Sequence, residues 1–193
     1  SGTVKGIGPA IALKIVGQYG IDSFDVIENH PEWLTDISGI TMKKAAQMSQ
    51  SFVEQSGLRN ISMALKDYIT SAEAVKVYKK YGPSAMGMVR GNPYLLCSDE
   101  CGIPFVKVDL LARSLGVDPE SKNRIFSGIT YILQHNANIN GHTCLPVDKL
   151  VDDTSKLLGV CTDKISSDIS VFISDVSLCE FTANYVKYVM TKK

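Results

Sequence analysis

The sequence lacks net charge, long apolar runs and an abundance of aromatic residues. Twenty Lys and Arg balance twenty Asp and Glu, aromatic residues make up 8% of the chain, and tryptophan occurs once. The charges stay balanced along the chain, so no segment is a polybasic tail. No apolar run is as long as a membrane span, and we expect no membrane partner. Any contact with nucleic acid must therefore come from a few placed groups, which predicts modest affinity.

The chain also lacks the pattern of a disulfide framework or a metal site. Its five cysteines are odd in number and no signal peptide precedes them, which predicts a reducing, cytoplasmic location. Cys97 and Cys101 lie four residues apart, but no second close pair follows, and His30, His135 and His142 show no ligand spacing. We expect buried free thiols and no metal or cofactor in this chain. The phosphate-loop motif Gly-x-x-x-x-Gly-Lys-Ser/Thr is absent, and we expect no catalytic site here.

What is present is an internal repeat in residues 1–117. A shift of 62 residues places Tyr19-Gly20 on Tyr81-Gly82 and Pro31 on Pro93. A shift of 63 continues the match, with Ile40 on Ile103. Within the first copy, Gly6-Ile7 recurs 33 residues later as Gly39-Ile40. The repeat predicts a mainly helical domain over 1–117, with copies at about 1–57 and 58–117 that each hold two hairpin-then-helix units.

Helix start and stop signals surround these hairpins. Gly8 is placed as an N-cap with Pro9 at the first helical position, and Gly20 is placed as a left-handed stop. Thr70 and Glu73 have the spacing of a capping box. Thr41 is expected to cap a helix whose inner face is Ala45, Met48 and Phe52. The first helix is predicted to bury one face formed by Ile11, Ala12, Ile15, Val16 and Tyr19.

A turn of the form Gly-aliphatic-Gly has a specific chemical use. It brings the backbone close to another molecule, while the buried aliphatic residue fixes the turn. Free N–H groups at the start of the following helix then suit an anion, and the commonest anion on an extended ligand is a nucleic-acid phosphate. Such contacts carry no base information. The predicted phosphate-binding residues are Lys5, Gly6, Ile7, Gly8, Ala10, Lys14, Gly39, Thr41, Lys43 and Lys44.

The stretch Val4-Lys5-Gly6-Ile7-Gly8-Pro9-Ala10-Ile11-Ala12 resembles the helix-hairpin-helix motif of DNA-repair and recombination proteins. Four further segments, in order, resemble the region before the motor in ATP-dependent RecD-like DNA helicases (the RecD/TraA family): residues 76–82, 92–96, 102–105 and 141–146. The resemblance implies an accessory region that binds single-stranded DNA or a junction. It also implies a small β-barrel before this segment, and two RecA-like motor lobes after it that bind ATP and Mg²⁺ and hydrolyse ATP.

The four hairpins depart from the motif to different degrees. Thr41 replaces the second glycine of the second hairpin, Tyr68 and Thr70 replace both glycines of the third, and Pro104 replaces one in the fourth. We expect the first hairpin to bind phosphate, the second to be able to, and the last two to be structural. The alternative for each is a packing turn without a ligand.

The remaining residues, 118–193, have a different pattern. Helices are predicted at 121–137, 147–158 and 163–173, with a short strand at 141–146 and a strand hairpin at 178–189 that turns at Ala-Asn. This order is typical of a winged-helix domain. The third of these helices is acidic, which favours a scaffold or interdomain role over DNA reading. DNA contact by the wing through Lys187 is the alternative, and Tyr185 and Tyr188 are predicted to be sheet residues.

Two other functions compete with DNA binding by an accessory region. The helix-hairpin-helix DNA glycosylases resemble this chain in the hairpin, but they need an aspartate further along and, in the bifunctional members, a lysine just after the hairpin. Ala10 stands at that lysine position, and although Lys43 fits it in the second unit, no Asp occurs between Asp36 and Asp67. A protein-interaction scaffold that packs on a motor or partner would instead show an exposed apolar patch and occluded hairpin amides.

Overall fold

The computed structural model describes residues 4–175 and 177–192, and it divides into two compact units. Unit 1 is Ser1–Met86 and unit 2 is Gly87–Lys193. The second copy of the sequence repeat straddles the boundary between the units. The domain division at 117/118, which follows from the repeat, stays a prediction.

Unit 1 is built from helices joined by short 3-10 turns. The α-helices are α1 (Pro9–Tyr19), α2 (Ser23–Asn29), α3 (Met42–Ala64), α4 (Ser71–Tyr81) and the start of α5 (Ala85–Gly91), and the 3-10 helices are Gly20–Asp22, Pro31–Asp36 and Gly82–Ser84. The predicted caps at the starts of α1, α3 and α4 are confirmed. Gly8 caps α1 with Pro9 at its first turn, Thr41 caps α3, and Thr70 forms a capping box with Glu73.

The core of unit 1 lies between α1, α2, the Pro31–Asp36 turn and the first half of α3. Its buried members are Ile15, Val26, Ile27, Leu34, Ile37, Ile40, Ala45 and Met48, with Ile7, Ile11, Tyr19 and Phe52 packed against them. The predicted inner face of α3 is therefore confirmed. The prediction for α1 is wrong at one residue, because Val16 is exposed and only Ile15 of that helix is fully buried.

The repeat is visible in the lengths of the elements. α1 and α4 have 11 residues each, and each is followed by a three-residue 3-10 turn and a seven-residue helix. Gly20 and Gly82 start the two turns with nearly equal positive φ, 54° and 58°. Their ψ angles are −124° and −145°, so the prediction of a left-handed helical stop at Gly20 is wrong. The positive φ turns the chain directly into the 3-10 helix instead.

Unit 2 combines helices with a small sheet. It contains most of α5, the 3-10 helix Pro93–Cys97, and then α6 (Phe105–Ser114), α7 (Lys122–Asn140), α8 (Val147–Leu158) and α9 (Thr162–Ser174); its strands are β1 (Leu145–Pro146), β2 (Leu178–Ala183) and β3 (Val186–Thr191). The strands form an antiparallel sheet in the order β1-β3-β2. The predicted mainly helical fold class is confirmed, and the winged-helix assignment of 118–193 stays a prediction.

The β2-β3 hairpin corrects one sequence prediction. Phe181 pairs with Tyr188 and Ala183 pairs with Val186, which leaves Asn184 and Tyr185 as the two turn residues. Both have positive φ, 50° and 63°, as a tight two-residue hairpin requires. Tyr185 is therefore a fully exposed turn residue and not a sheet residue, whereas Tyr188 lies in β3. Within the described residues, no helix is both long and apolar enough to cross a bilayer.

Candidate nucleic-acid interface

The first hairpin (residues 4–8) and the second hairpin (residues 37–41) have the same backbone. In the first, the Ile7 N–H donates to the Val4 carbonyl over 3.0 Å; in the second, the Ile40 N–H donates to the Ile37 carbonyl over 3.0 Å. The glycine in the bend, Gly6 or Gly39, has φ 94° in each. Few residues other than glycine adopt this angle, so the first glycine of each motif is a conformational requirement.

The second motif position does not need glycine. Gly8 has φ −83° and ψ 170°, and Thr41 has φ −90° and ψ 160°, so both are extended N-caps that any residue can form. The Thr41 hydroxyl accepts a hydrogen bond from the Lys44 N–H over 3.4 Å. The change from Gly8 to Thr41 therefore leaves the shape of the hairpin intact, which makes the second hairpin as suitable in geometry as the first.

Both hairpins present backbone amides at the start of a helix. Among residues 4–175 and 177–192, no group accepts a hydrogen bond from the amides of Gly6, Gly8 or Ala10 in the first hairpin. The amides of Gly39, Thr41 and Lys43 in the second are equally without an acceptor among those residues. Except for half-buried Gly8, these residues are exposed. Free amides at the positive end of a helix dipole are chemically suited to an anion.

The four predicted lysines do not divide evenly between the hairpins. Lys14 and Lys44 donate from Nζ to the Ser38 and Gly39 carbonyls over 3.3 and 3.2 Å, which places both ammonium groups at the second hairpin. Lys43 is exposed in the first turn of α3. Lys5 is the cation of the first hairpin. Lys14 thus belongs to the second hairpin, although it follows the first in sequence.

Charge is segregated along the first tandem pair despite the neutral total. Within residues 4–52, all four lysines lie in or near a hairpin or point to one, whereas the five carboxylates are Asp22, Asp25, Glu28, Glu32 and Asp36. These carboxylates lie on α2 and the 3-10 turns that flank it. The lysines of this segment are therefore separated from its carboxylates, which a count of net charge does not reveal.

The first hairpin is held against the middle of α3. The Lys5 N–H donates to the Ser51 hydroxyl over 2.9 Å, and a Cβ on Gly6 would lie 3.2 Å from the Cγ of Met48. Sequence reasoning missed the role of Ser51 because the contact joins residues 46 positions apart. Ser51 follows the α3 cap by ten residues, which is about 15 Å along the helix axis. The two hairpins are therefore separate sites on one helix.

The third hairpin (residues 66–70) is already capped by a carboxylate from the helix that follows it. The Glu73 carboxylate accepts hydrogen bonds from the N–H of Thr70 over 2.7 Å and from its hydroxyl over 2.9 Å. Ile11 and Lys44 occupy the corresponding positions after the first and second hairpins, so neither of those hairpins has such a carboxylate. Tyr68, at the Gly6 position, does not have the positive φ of the glycines. Both differences favour a structural role for the third hairpin.

The fourth hairpin (residues 100–104) differs at its cap. Gly102 has φ 63°, but Pro104 is the N-cap of α6 and has no N–H to donate. The Gly102 N–H donates to the Ser98 carbonyl over 2.7 Å, which closes a turn that the second hairpin does not have. This geometry also favours a structural role.

Substitution of Gly39 should show the cost of the hairpin bend directly. A Cβ on Gly39 would meet no atom within 4 Å, so Gly39→Ala changes only the backbone energy. We expect a loss of about 1–3 kcal/mol in the free energy of unfolding, because alanine is strained at φ 94°. Gly8→Ala is the matched control, since Gly8 also has open space around it but a negative φ. Urea denaturation followed by Trp33 fluorescence measures both; equal effects would contradict the strain argument.

Unit 2 contains a buried polar network that sequence reasoning also missed. Asp109 accepts hydrogen bonds from Arg124 Nε over 2.7 Å and from the Tyr94 hydroxyl over 2.8 Å. Burial raises the pKa of the Asp109 carboxyl. The bonds from Arg124 and Tyr94 and the charges of Arg124 and Arg113 lower that pKa by more than burial raises it, so the net shift is downward. One signal in the sequence could have revealed the network. Asp109 is a charged residue on the inward face of an amphipathic helix, next to Val108 and Leu111.

The cysteine pair lies in the same region. Cys101 is fully buried, and burial, with smaller contributions from Asp109 and Cys101, raises the pKa of the Cys97 thiol to about 12. A metal ligand must be a thiolate, and Cys97 is a neutral thiol at physiological pH. Across the part of the chain that the structure describes, no group of three or more His, Cys, Asp or Glu side chains could hold a metal ion. Cys101 is thus a buried free thiol as expected, but the expectation is wrong for the other cysteines: Cys97, Cys144 and Cys179 are half-buried and Cys161 is exposed.

The wing residues have local partners. Lys187 Nζ lies 3.0 Å from Glu180 Oε1, so its charge is compensated within the β-hairpin. The Tyr188 ring stacks on the Phe181 ring with centroids 5.4 Å apart. α9 carries the ion pair between Lys164 and Asp168, at 2.6 Å, on the helix predicted to be acidic. DNA contact through Lys187 stays an untested alternative.

Parts of this chain are similar to known protein families and to a known helicase. Residues 54–144 match a family model described as the ATP-dependent RecD2 DNA helicase HHH domain, and residues 2–52 match one described as a SAM-like helix-hairpin-helix tandem. A protein described as ATP-dependent RecD2 DNA helicase, from Deinococcus radiodurans, is 27% identical over 144 residues. That alignment covers 74% of this chain and 20% of the relative, so the chain spans about a fifth of the relative's length.

Proposed function

We propose that this chain, parts of which match helix-hairpin-helix family models and a RecD2 helicase, is an accessory region of a RecD-like helicase and binds DNA. The first and second hairpins each hold one phosphate by backbone amides at the start of α1 and α3. Lys5, Lys14, Lys43 and Lys44 add positive charge at these points. Recognition is independent of base sequence, because the groups involved face the sugar-phosphate backbone.

One observation carries the proposal: the comparison of the first two hairpins with the third. All three stand at the start of a helix in unit 1, and only the third receives a carboxylate, from Glu73, at its cap. Where the chain supplies its own anion, a phosphate has no vacant amide to bind at the N-cap. In the first and second hairpins the equivalent amides have no acceptor among the described residues and lie at exposed or half-buried positions. A phosphate oxygen supplies the acceptor that those amides lack.

The matched relative is described as an ATP-dependent helicase. We propose that the protein to which this region belongs is likewise an ATP-driven DNA helicase that acts in the cytoplasm in DNA recombination and repair. Its motor lobes, with ATP and Mg²⁺, lie outside this chain and move a strand that the hairpins hold. The preferred DNA is single-stranded or a junction, since such an accessory region meets the strand next to the motor.

Two substitutions test the hairpins without disturbing the fold. Gly8→Asp fits because a Cβ there meets no atom within 4 Å, and an acidic N-cap stabilises a helix. Lys44→Glu transfers the third hairpin's capping box to the second, since Thr41 and residue 44 have the spacing of Thr70 and Glu73. Each variant places a carboxylate where phosphate is proposed to bind. We expect each to lose about 1.5–3 kcal/mol of DNA binding, or ten- to a hundredfold in affinity.

The measurement is fluorescence anisotropy of the whole chain with labelled single-stranded, duplex and forked oligonucleotides at low salt. Thermal denaturation should show both variants at least as stable as the parent. Cys161→Asp is the matched control, because it adds one carboxylate at the exposed N-cap of α9 and should leave binding unchanged. Loss of binding with Cys161→Asp, or full binding by Gly8→Asp and Lys44→Glu together, would refute the hairpin assignment.

A further property follows from the small number of contacts. With two to four phosphates neutralised, the logarithm of the binding constant should fall with the logarithm of salt concentration with a slope of about −1.5 to −3.5. Lys44→Glu should make that slope shallower by about one. The interaction-scaffold alternative predicts no binding to any of the oligonucleotides even at low salt.

A further inference from the structure

Three lysines from two helices gather at the second hairpin. Lys14 Nζ, from α1, and Lys44 Nζ, from α3, donate to the carbonyls of two neighbouring residues, Ser38 and Gly39, over 3.3 and 3.2 Å. Lys43 precedes Lys44 in the first turn of α3 and is exposed. The hairpin therefore has two ammonium groups on its carbonyls and a third lysine at the start of the helix that follows it.

The charges of these lysines are not cancelled by carboxylates. Elsewhere in the chain, Lys164 and Lys187 lie 2.6 and 3.0 Å from the carboxylates of their ion-pair partners. No such pair involves Lys14, Lys43 or Lys44 among residues 4–175 and 177–192. A backbone carbonyl fixes the position of an ammonium group but carries no net charge. The positive charges of the second hairpin therefore add together.

The internal repeat shows that this arrangement is particular to the first copy. A shift of 62 residues takes Lys14 to Lys76, which is exposed on α4 and forms no hydrogen bond or ion pair within the part of the chain that the structure describes. A shift of 63 takes Lys43 to Val106. A lysine at this position of the helix therefore does not bind a hairpin carbonyl by default.

We propose that the second hairpin binds the terminal phosphate of a DNA strand, a phosphomonoester, in preference to an internal phosphodiester. This preference rests on the proposed binding of DNA by the hairpins. A phosphomonoester carries a charge of about −1.5 to −2 at pH 7 and three strong acceptor oxygens, whereas a phosphodiester carries one negative charge. The amides of Gly39, Thr41 and Lys43, which have no acceptor among the described residues, supply donors for these oxygens. The ammonium groups of Lys14 and Lys44 supply the additional positive charge.

The first hairpin provides the contrast. Lys5 is its cation, and Lys14, which follows that hairpin in sequence, reaches the second hairpin instead. One positive charge matches the single negative charge of an internal phosphodiester. The two hairpins therefore favour different phosphates, although their backbones are the same.

The test is fluorescence anisotropy of the full chain with single-stranded oligonucleotides of one sequence, labelled on an internal base. One strand carries a 5′-phosphate, one carries a 3′-phosphate, and one has hydroxyl groups at both ends. A hydroxyl-ended strand that is two nucleotides longer matches the charge that the terminal phosphate adds. We expect a strand with a terminal phosphate to bind about tenfold more tightly than this charge-matched strand, the effect of one charge-assisted hydrogen bond. The 5′ and 3′ arms show which end is bound.

Substitutions separate this site from positive charge in general. Lys14→Gln should reduce the preference to about twofold or less, and Lys14→Arg, which keeps the charge, should retain it. Lys76→Gln is the matched control, because it removes an exposed lysine from the equivalent position of α4 and should leave the preference unchanged. In the isotope-labelled chain, the terminal phosphate should shift the amide resonances of Gly39, Thr41 and Lys43 more than those of the first hairpin.

Several results would overturn the inference. These are equal binding of the phosphate-ended and charge-matched strands, a preference that Lys14→Gln leaves intact or that Lys76→Gln also removes, and shifts centred on the first hairpin. The hydroxyl-ended strands separate this failure from failure of the proposed function. If they bind and a terminal phosphate adds nothing, the hairpins bind DNA but do not recognise its end. If no strand binds, DNA binding by the hairpins is refuted as well.

Discussion

Arg124→Ala should lower the free energy of unfolding of unit 2 by about 3–5 kcal/mol, because it removes the buried cation that pairs with the Asp109 carboxylate. Arg124 is fully buried and donates to both Asp109 oxygens, over 2.7 and 3.1 Å. Its Nη1 also donates to the carbonyls of Pro119 and Leu158, over 2.8 and 3.1 Å. One guanidinium thus connects α6, α7 and the end of α8, and its loss leaves several buried acceptors unpaired.

The same carboxylate provides its own control. Arg113 also pairs with Asp109, at 3.1 Å, but its side chain is largely exposed. Arg113→Ala should cost less than about 1 kcal/mol, because water replaces an exposed cation easily. Hydrogen exchange of α7 amides measures the effect within unit 2, where the change lies. Equal losses for Arg113→Ala and Arg124→Ala would show that burial does not decide the value of this pair.

The network also predicts a pH dependence with a defined sign. Burial alone would raise the pKa of Asp109, but the hydrogen bonds from Arg124 and Tyr94 lower it below the ordinary value. A lowered folded-state pKa stabilises the fold above the unfolded value, which is about 3.9 for Asp, and the stabilisation is lost as the pH falls below it. Unit 2 of the parent chain should lose stability below about pH 4. Arg124→Ala should weaken that acid dependence.

Met48→Ala should destabilise unit 1 by about 2–5 kcal/mol, because it opens a cavity in the core. Met48 is buried among the residues that join α1, α2 and α3, and it lies directly beneath Gly6 of the first hairpin. The substitution therefore removes core volume and the support of the hairpin bend together. DNA binding through the first hairpin should weaken even at temperatures where unit 1 remains folded.

Met63 supplies the comparison on the same helix, since it lies on α3 and is exposed. Met63→Ala should change the free energy of unfolding by less than about 0.5 kcal/mol. The single tryptophan, Trp33, lies in unit 1, so its fluorescence in urea follows the unit in which both substitutions lie. A loss below about 1 kcal/mol for Met48→Ala would mean that the core closes around the gap.

Local sequence signals predicted the elements of unit 1 well. Caps at Gly8, Thr41 and Thr70 act within four residues of the chain, and a capping residue has the same effect whatever packs nearby. The 62-residue repeat added a second, independent measure of each boundary. Helix caps formed by hydrogen bonds between near neighbours were predicted correctly, whereas the backbone angles at Gly20 and at the Asn184-Tyr185 turn were not.

Residues whose role depends on distant parts of the chain were placed less well. Lys14 follows the first hairpin but reaches the second, and Ser51 supports the first hairpin from the middle of α3. Val16 has the period of a buried residue, and its exposure depends on which helices pack around α1. Asp109, Arg124 and Tyr94 meet from three separate elements. No local pattern encodes such contacts, because they are set by the assembled fold.

The carboxylate of Glu73 has a consequence for how a duplicated binding motif changes over time. It acts as a ligand tethered to its own site, and its effective concentration far exceeds that of any free phosphate. One residue in the first turn of the helix therefore determines whether the hairpin amides are capped by a carboxylate of the chain itself or stay available to an external anion. A carboxylate cap stabilises the folded hairpin whether or not a ligand is present. A hairpin with uncapped amides is stabilised only when its ligand binds. DNA should therefore raise the melting temperature of unit 1 by mass action.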